Sequence, residues 1–242
     1  MTSKPIISVI IPSYNEEKLL PYCLKSVLNQ DFPRNKYEII VVNNASTDKT
    51  PQIAKKFKVK LINEPKKGLV RARNAGFKAA KGKYLVNLDA DCLVPRNWLK
   101  RIEQNFRSNK NLVFLTGPTV PKKGEKNPLD FLNIKIVSFF YQNFHQLIAY
   151  WGGNAAMRKK ALIKVGGYNL HNPYNDELAL LHKFKKVGQV DFDSNLKVIS
   201  SNRRVKGRFL KFLFWEVLIL YLLNNLYHRF TRKHWRQWET IR

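Results

Sequence analysis

Four short β-rich apolar runs, Ile6–Ile11, Tyr37–Val42, Val59–Ile62 and Tyr84–Leu88, are separated by stretches of helical period. A strand that is followed by a helix before the next strand pairs in parallel, through a crossover, and a parallel sheet is covered on both faces. This order confines the chain to the α/β class. The first helix is marked by Leu19, Leu20, Cys23, Leu24, Val27 and Leu28 at three-to-four spacing, with Asp31-Phe32-Pro33 as its stop. A second is expected to start with Thr50 as N-cap and Pro51 at the first helical position. A third is expected over Val70–Lys81, ended by Gly82. In such sheets a ligand binds off the carboxyl ends of the strands, where the strand order reverses. Those ends carry Pro12–Glu16, Asn43–Asp48 and Asp89–Asp91, so three polar clusters are expected to converge on one crevice.

Each cluster has a chemical reading and a plain one. Asp89 and Asp91 deliver two short carboxylates from the end of an apolar strand, a donor set suited to Mg²⁺ or Mn²⁺ that keeps waters and meets a ligand's phosphates; Asp after a strand is also ordinary turn chemistry. Asn43-Asn44-Ala45-Ser46-Thr47-Asp48 could hydrogen-bond a nucleobase and ribose, or simply make the turn. Arg71, Arg73 and Asn74 fall in the first turns of a helix, where cations oppose the helix dipole; that placement suits an anionic ligand or a solvated basic face. Gly152-Gly153-Asn154 and Gly166-Gly167-Tyr168 bracket a short helix, as points of close backbone approach to a ligand or as turns. Asp176-Glu177 begins a helix whose apolar positions are Leu178, Leu181, Phe184 and Val187, and an acidic start is favoured by the dipole alone.

The remaining sequence bounds the setting. The 242 residues, 44% hydrophobic, suffice for one main domain and an appendage. A formal net charge of +27 predicts attraction to anionic partners without choosing among phosphates, nucleic acid and lipid head groups. Cys23 and Cys92 have neither metal-ligand spacing nor a disulfide pattern, which suits a reducing environment. The segment Met1–Pro5 and the strand after it lack the pattern of a signal peptide. A strand candidate at Val113–Thr116 precedes a Pro and Lys loop and an aromatic helical stretch, Leu129–Tyr150, expected to shape a second pocket. From Arg203 the composition turns basic around the apolar run Phe209–Leu223, which predicts a helical appendage from about Lys206. Lys211, Glu216, Asn224 and Asn225 make a spanning helix costly, so an interfacial helix on an anionic leaflet is expected; the alternative is packing against the domain or against a second subunit in a homodimer.

In order along the chain stand Ser8-Val9-Ile10-Ile11-Pro12-Ser13-Tyr14-Asn15-Glu16, Val41-Val42-Asn43-Asn44-Ala45-Ser46-Thr47-Asp48, Gly68 with Arg71-Ala72-Arg73-Asn74-Ala75-Gly76, and the D-x-D of Asp89 and Asp91. Gly153-Asn154-Ala155-Ala156 and Val165-Gly166-Gly167-Tyr168 follow, then Asp176-Glu177 before Leu178, Leu180 and Gly188. Taken together, this string resembles the inverting glycosyltransferases of family 2, over roughly residues 5–204. The resemblance implies a GT-A fold, a Rossmann-like, mostly parallel sheet with helices on both faces, in residues 1–204; the composition of residues 205–242 makes them the expected membrane-associating tail. It implies that Pro12, Tyr14, Glu16, Asn44 and Arg73 line a nucleotide pocket, with Asn43, Arg71 and Asn74 beside them, and that Asp89 and Asp91 meet ribose, diphosphate and metal. Gly153 and Asn154 fall on the acceptor side. Where the family has an acidic residue after the second strand this chain has Asn43 and Asn44, which leaves the base open between a UDP- and a GDP-sugar. The family's acidic pair stands reversed, and counting back from Gly188 puts Glu177 at the general base, with Asp176 as fallback.

The implied activity is inverting transfer of a sugar from a nucleotide-diphospho-sugar, with Mn²⁺ or Mg²⁺, to a glycan or lipid-linked acceptor. Arg203 and Arg204 are candidates to assist the diphosphate or hold an anionic acceptor. A polyprenol-phosphate transferase with a phosphate nucleophile is the first alternative. A basic nucleic-acid-binding protein would explain the charge but not a D-x-D at a strand end, so no specific nucleic-acid partner is expected. The processive synthases of the family carry a Q-x-x-R-W motif that Trp235-Arg236-Gln237-Trp238 does not match. The expected location is the cytoplasmic face of the membrane, peripherally attached.

Overall fold

The computed structural model describes residues 4–121, 153–168 and 176–201. The tail assigned to residues 205–242, the helical stretch Leu129–Tyr150, and Arg203 and Arg204 lie outside the described residues, and the division into 1–204 and 205–242 stays an expectation. Seven strands form the main sheet in the order β3-β2-β1-β4-β8-β6-β9: Lys60–Asn63, Tyr37–Asn43, Ile7–Ser13, Tyr84–Leu88, Asn154–Arg158, Leu112–Thr116 and Gln189–Phe192. A small second sheet joins β5 (Cys92–Leu93), β10 (Val198–Ser200) and β7 (Thr119–Pro121). The helices are α1 (Leu20–Leu28), α2 (Thr50–Lys56), α3 (Leu69–Ala79), α4 (Trp98–Ser108), α5 (Lys159–Lys164) and α6 (Asp176–Lys185). All four expected strands form, and β1 is buried along its whole length, as the centre of a covered parallel sheet requires.

The sheet is parallel except at β8, which runs antiparallel between β4 and β6 with Leu88 opposite Asn154 and Tyr84 opposite Arg158. Two cores flank it. On one face Leu20, Cys23, Leu24 and Val27 of α1 and Trp98, Leu99, Ile102 and Phe106 of α4 cover Val9, Ile11, Val86 and Leu88. On the other, Val70 and Ala72 of α3 and Leu180, Leu181 and Phe184 of α6 cover Ile10, Val42, Leu85 and Phe114. Thr50 is not the N-cap of α2 but its first residue, with Lys49 before it. The capping acceptor is Asp48, whose Oδ1 takes the Thr50 N–H at 2.9 Å, and this frees the buried Thr50 hydroxyl to accept the Glu16 N–H at 2.7 Å. Helix α3 ends at Ala79, short of Gly82, because Ala80 is already extended. Gly82 serves a different need: a Cβ there would sit 2.6 Å from the Ser8 nitrogen, so the approach of the chain to β1 requires glycine.

Candidate active site

The strand order reverses beside β1. The chain steps outward from β1 to β2 and β3, then crosses back to lay β4 on the other side of β1, so the crevice between the ends of β1 and β4 is the switch point. Pro12 is buried within β1, and Tyr14, Asn15 and Glu16 form the loop that leaves it. Asn15 turns through a left-handed backbone conformation, φ 53°, and its Oδ1 accepts the Thr47 N–H at 2.8 Å. Ser46 Oγ accepts the Asn15 N–H, and Asp48 Oδ2 accepts the Glu17 N–H at 3.0 Å. The loops after β1 and β2 are therefore laced together. Burial opposes ionisation of Asp48, yet the hydrogen bonds from Thr50 and Glu17 together outweigh it and hold its carboxyl below the usual range.

Asp89 follows β4 directly, and three contacts fix its position. The Arg73 guanidinium, 2% exposed on α3, lies 3.9 Å from Asp89 Oδ1. The Cys23 thiol of α1 faces the Asp89 carbonyl at 3.7 Å, and Gly153 presses against the carboxylate from beneath. A Cβ built on Gly153 would stand 2.5 Å from Asp89 Oδ2, so glycine is required for the carboxylate to sit where it does. Asp91, half-buried, stands two residues on, beside Cys92. Burial first, and the charges of Asp91 and Asp89 second, push the Cys23 thiol up; burial followed by the same two charges does so at Cys92. Among the described residues no three His, Cys, Asp or Glu side chains form a metal-binding group. Two carboxylates suit a small hard cation that takes its other ligands from water and phosphate, which fits Mg²⁺ or Mn²⁺.

Other candidates are placed as follows. Arg71 and Asn74 are half-buried on α3, and Arg71 extends over Gly68. Asn43 and Asn44 sit at the end of β2, each hydrogen-bonded within the protein. Asn154, 1% exposed, accepts the Trp98 indole N–H at 3.1 Å and donates to the Leu196 carbonyl at 2.6 Å, so its amide joins α4 to the chain before β10. Asp176 and Glu177 are the first residues of α6, and their side chains lie outside the described residues. Sequence reading missed one feature, Gly153 as the seat of Asp89; the only signal was a glycine beside a polar residue, indistinguishable from a turn.

A sequence model described as glycosyl transferase family 2 matches residues 8–166, more than half of the chain. This chain belongs to glycosyl transferase family 2. Among relatives it is 42% identical over 108 residues to Glycosyltransferase AglE of Haloferax volcanii, covering 42% of this chain and 36% of that one. It is 35% identical over 119 residues to a dolichyl N-acetyl-alpha-D-glucosaminyl phosphate 3-beta-D-2,3-diacetamido-2,3-dideoxy-beta-D-glucuronosyltransferase of Methanococcus voltae, covering 46% and 37%. The matches span just over a third of the length of both relatives. Among solved structures, the mannosyltransferase PcManGT from Pyrobaculum calidifontis, in complex with GDP-Man and Mn²⁺, superposes with a TM-score of 0.67 at 24% identity, covering 85% of this chain and 59% of that one. This likeness establishes the fold, a mixed α/β unit with a largely parallel sheet, and the family membership accounts for the ordered motifs.

The seat of Asp89 gives a direct expectation. Gly153→Ala forces the Asp89 carboxylate or the turn before β8 to move. Were Asp89 to hold a metal, displacing it in this way would lower metal affinity by about 10- to 100-fold. Calorimetric titration with Mn²⁺ and a nucleoside diphosphate checks this, and unchanged affinity would show that Asp89 adjusts freely.

Proposed function

We propose that this chain carries the catalytic domain of an inverting, metal-dependent glycosyltransferase that moves a sugar from a nucleotide-diphospho-sugar to a lipid-linked or cell-envelope glycan. The observation that carries the reading is the Asp89–Asp91 pair at the sheet's switch point, with Asp89 held between Arg73 and Gly153 on the edge where Tyr14 and Glu16 emerge. Support for a metal and a nucleotide sugar comes from the GDP-Man and Mn²⁺ of the structural neighbour, and for a lipid-linked acceptor from the dolichyl phosphate sugar named for the Methanococcus relative. Asp91 and Asp89 would hold the Mn²⁺ or Mg²⁺, which when bound neutralises charge developing on the departing diphosphate. Glu177 at the start of α6 takes the proton from the acceptor hydroxyl as that oxygen attacks the anomeric carbon, with Asp176 as the alternative base. A panel of nucleotide sugars screened with Mn²⁺, by hydrolysis and by thermal shift, tests the reading. If no member is hydrolysed or stabilises the protein, the reading fails.

The same reading places the enzyme peripherally on the cytoplasmic face of the membrane through residues 205–242, on the strength of their basic and aromatic composition. Among the described residues no helix is long and apolar enough to cross a membrane. A chain ended after Arg204 should lose co-sedimentation with anionic liposomes that the full chain shows at low salt. Equal sedimentation of the two would assign the tail to packing.

A further inference from the structure

A donor-binding crevice needs a group that reads the base, and the candidates at the end of β2 are Asn43 and Asn44. Both amides bond within the protein, Asn44 with both of its N–H groups. The Asn44 side chain, buried, donates to the carbonyls of Glu64 at 3.2 Å and Lys66 at 2.8 Å and accepts the Gly68 N–H at 2.8 Å. Those three bonds close the loop between β3 and α3. Asn43 donates to Asn63 Oδ1 and accepts the Ser46 N–H, both at 3.1 Å. What the Asn44 clamp presents to the crevice is Lys67, exposed, whose ammonium donates to the Tyr14 hydroxyl at 2.7 Å and lies 4.6 Å from the centre of that ring. An ammonium has three protons to donate, and among the described residues that of Lys67 makes one hydrogen bond.

We propose that Lys67 reads the edge of the nucleobase in this chain and favours bases that carry a carbonyl oxygen at the reading position, uracil O4 or guanine O6, over cytosine and adenine, which carry an amino group there; this rests on the donor-binding reading above. The Tyr14 ring is a flat surface at the end of β1, and a base stacked on it outweighs an exposed ammonium at the same ring. The lysine stem then carries the ammonium to the rim of the base while the Asn44 clamp keeps the loop in place. An ammonium only donates, so it pairs with uracil O4 or guanine O6 and N7. At the matching positions cytosine carries the N4 amino donor, and adenine carries the N6 amino donor with N7 as its one acceptor on that edge.

The test measures binding of UDP, GDP, ADP and CDP with Mn²⁺ by calorimetry to the full chain and to its Lys67→Met and Lys67→Arg variants. Methionine keeps a stem of similar length and removes the donors. The unmodified chain should favour UDP or GDP over ADP and CDP by about tenfold or more, the scale of one charge-assisted hydrogen bond. Lys67→Met should weaken the favoured nucleotide by about tenfold, leave ADP and CDP within about twofold, and leave the melting temperature unmoved; Lys67→Arg should keep the preference. A similar loss across all four would place the lysine on the phosphates, and no loss would leave it without a role; either result overturns the inference. An unmodified chain that binds none of the four defeats the donor-binding reading and this inference with it, so the two failures are distinguishable.

Discussion

Asp91→Asn is expected to abolish Mn²⁺-dependent binding of the nucleotide sugar while leaving the fold intact. The substitution keeps the shape of the side chain and removes the charge that a hard cation needs, and with only two carboxylates at the end of β4 no third protein ligand among the described residues compensates. The melting curve reads any loss of the contacts that Asp91, half-buried at the crevice beside Cys92, makes within the protein. Asp89 would be a poorer probe. The buried Arg73 guanidinium stands against it, and neutralising Asp89 would leave that charge less compensated, so lost binding would be confounded with lost stability. Calorimetry with and without Mn²⁺, beside a melting curve, separates the outcomes, and full metal-dependent binding by Asp91→Asn would remove Asp91 from the site.

The half of the sheet that holds the crevice was readable because each of its strands is a run of β-branched and aromatic residues bounded by a helix with its own period. Ile7–Ser13 and Tyr37–Asn43 lie within one or two residues of expectation for that reason. Strand β8 escaped notice. Its residues, Asn154-Ala155-Ala156-Met157-Arg158, include no β-branched side chain, and their strand character comes from the slot between β4 and β6 rather than from local preference. Helix α4 carries its own signal, Trp98, Leu99, Ile102 and Phe106 at helical spacing. At the site, residue types and order pointed to the crevice, whereas the division of labour inside it depended on distances. Asn43 and Asn44, expected to meet the base, also hold loops, and Gly153, expected near the acceptor, also seats a carboxylate. Hydrogen-bond partners separated by twenty residues or more leave no trace in local sequence.

Glu177→Gln is expected to slow transfer to a hydroxyl acceptor by about two to four powers of ten, the usual contribution of a general base, with donor affinity unchanged. A sugar hydroxyl holds its proton tightly at neutral pH and attacks the anomeric carbon only as that proton leaves, so the loss should fall on turnover rather than on the donor's dissociation constant. Glutamine preserves size and can still accept a hydrogen bond, which isolates proton removal as the missing step. The acceptor decides how the result is read. A lipid phosphate is already ionised at neutral pH and needs no base, so a chain that uses one would tolerate Glu177→Gln and Asp176→Asn alike. Steady-state rates for both variants, measured with a neutral glycan acceptor and with a polyprenyl phosphate, therefore distinguish a hydroxyl nucleophile served by Glu177 from a phosphate nucleophile that needs neither acid. A large loss in Asp176→Asn with near-normal turnover in Glu177→Gln would instead move the base one residue back, to the first residue of α6.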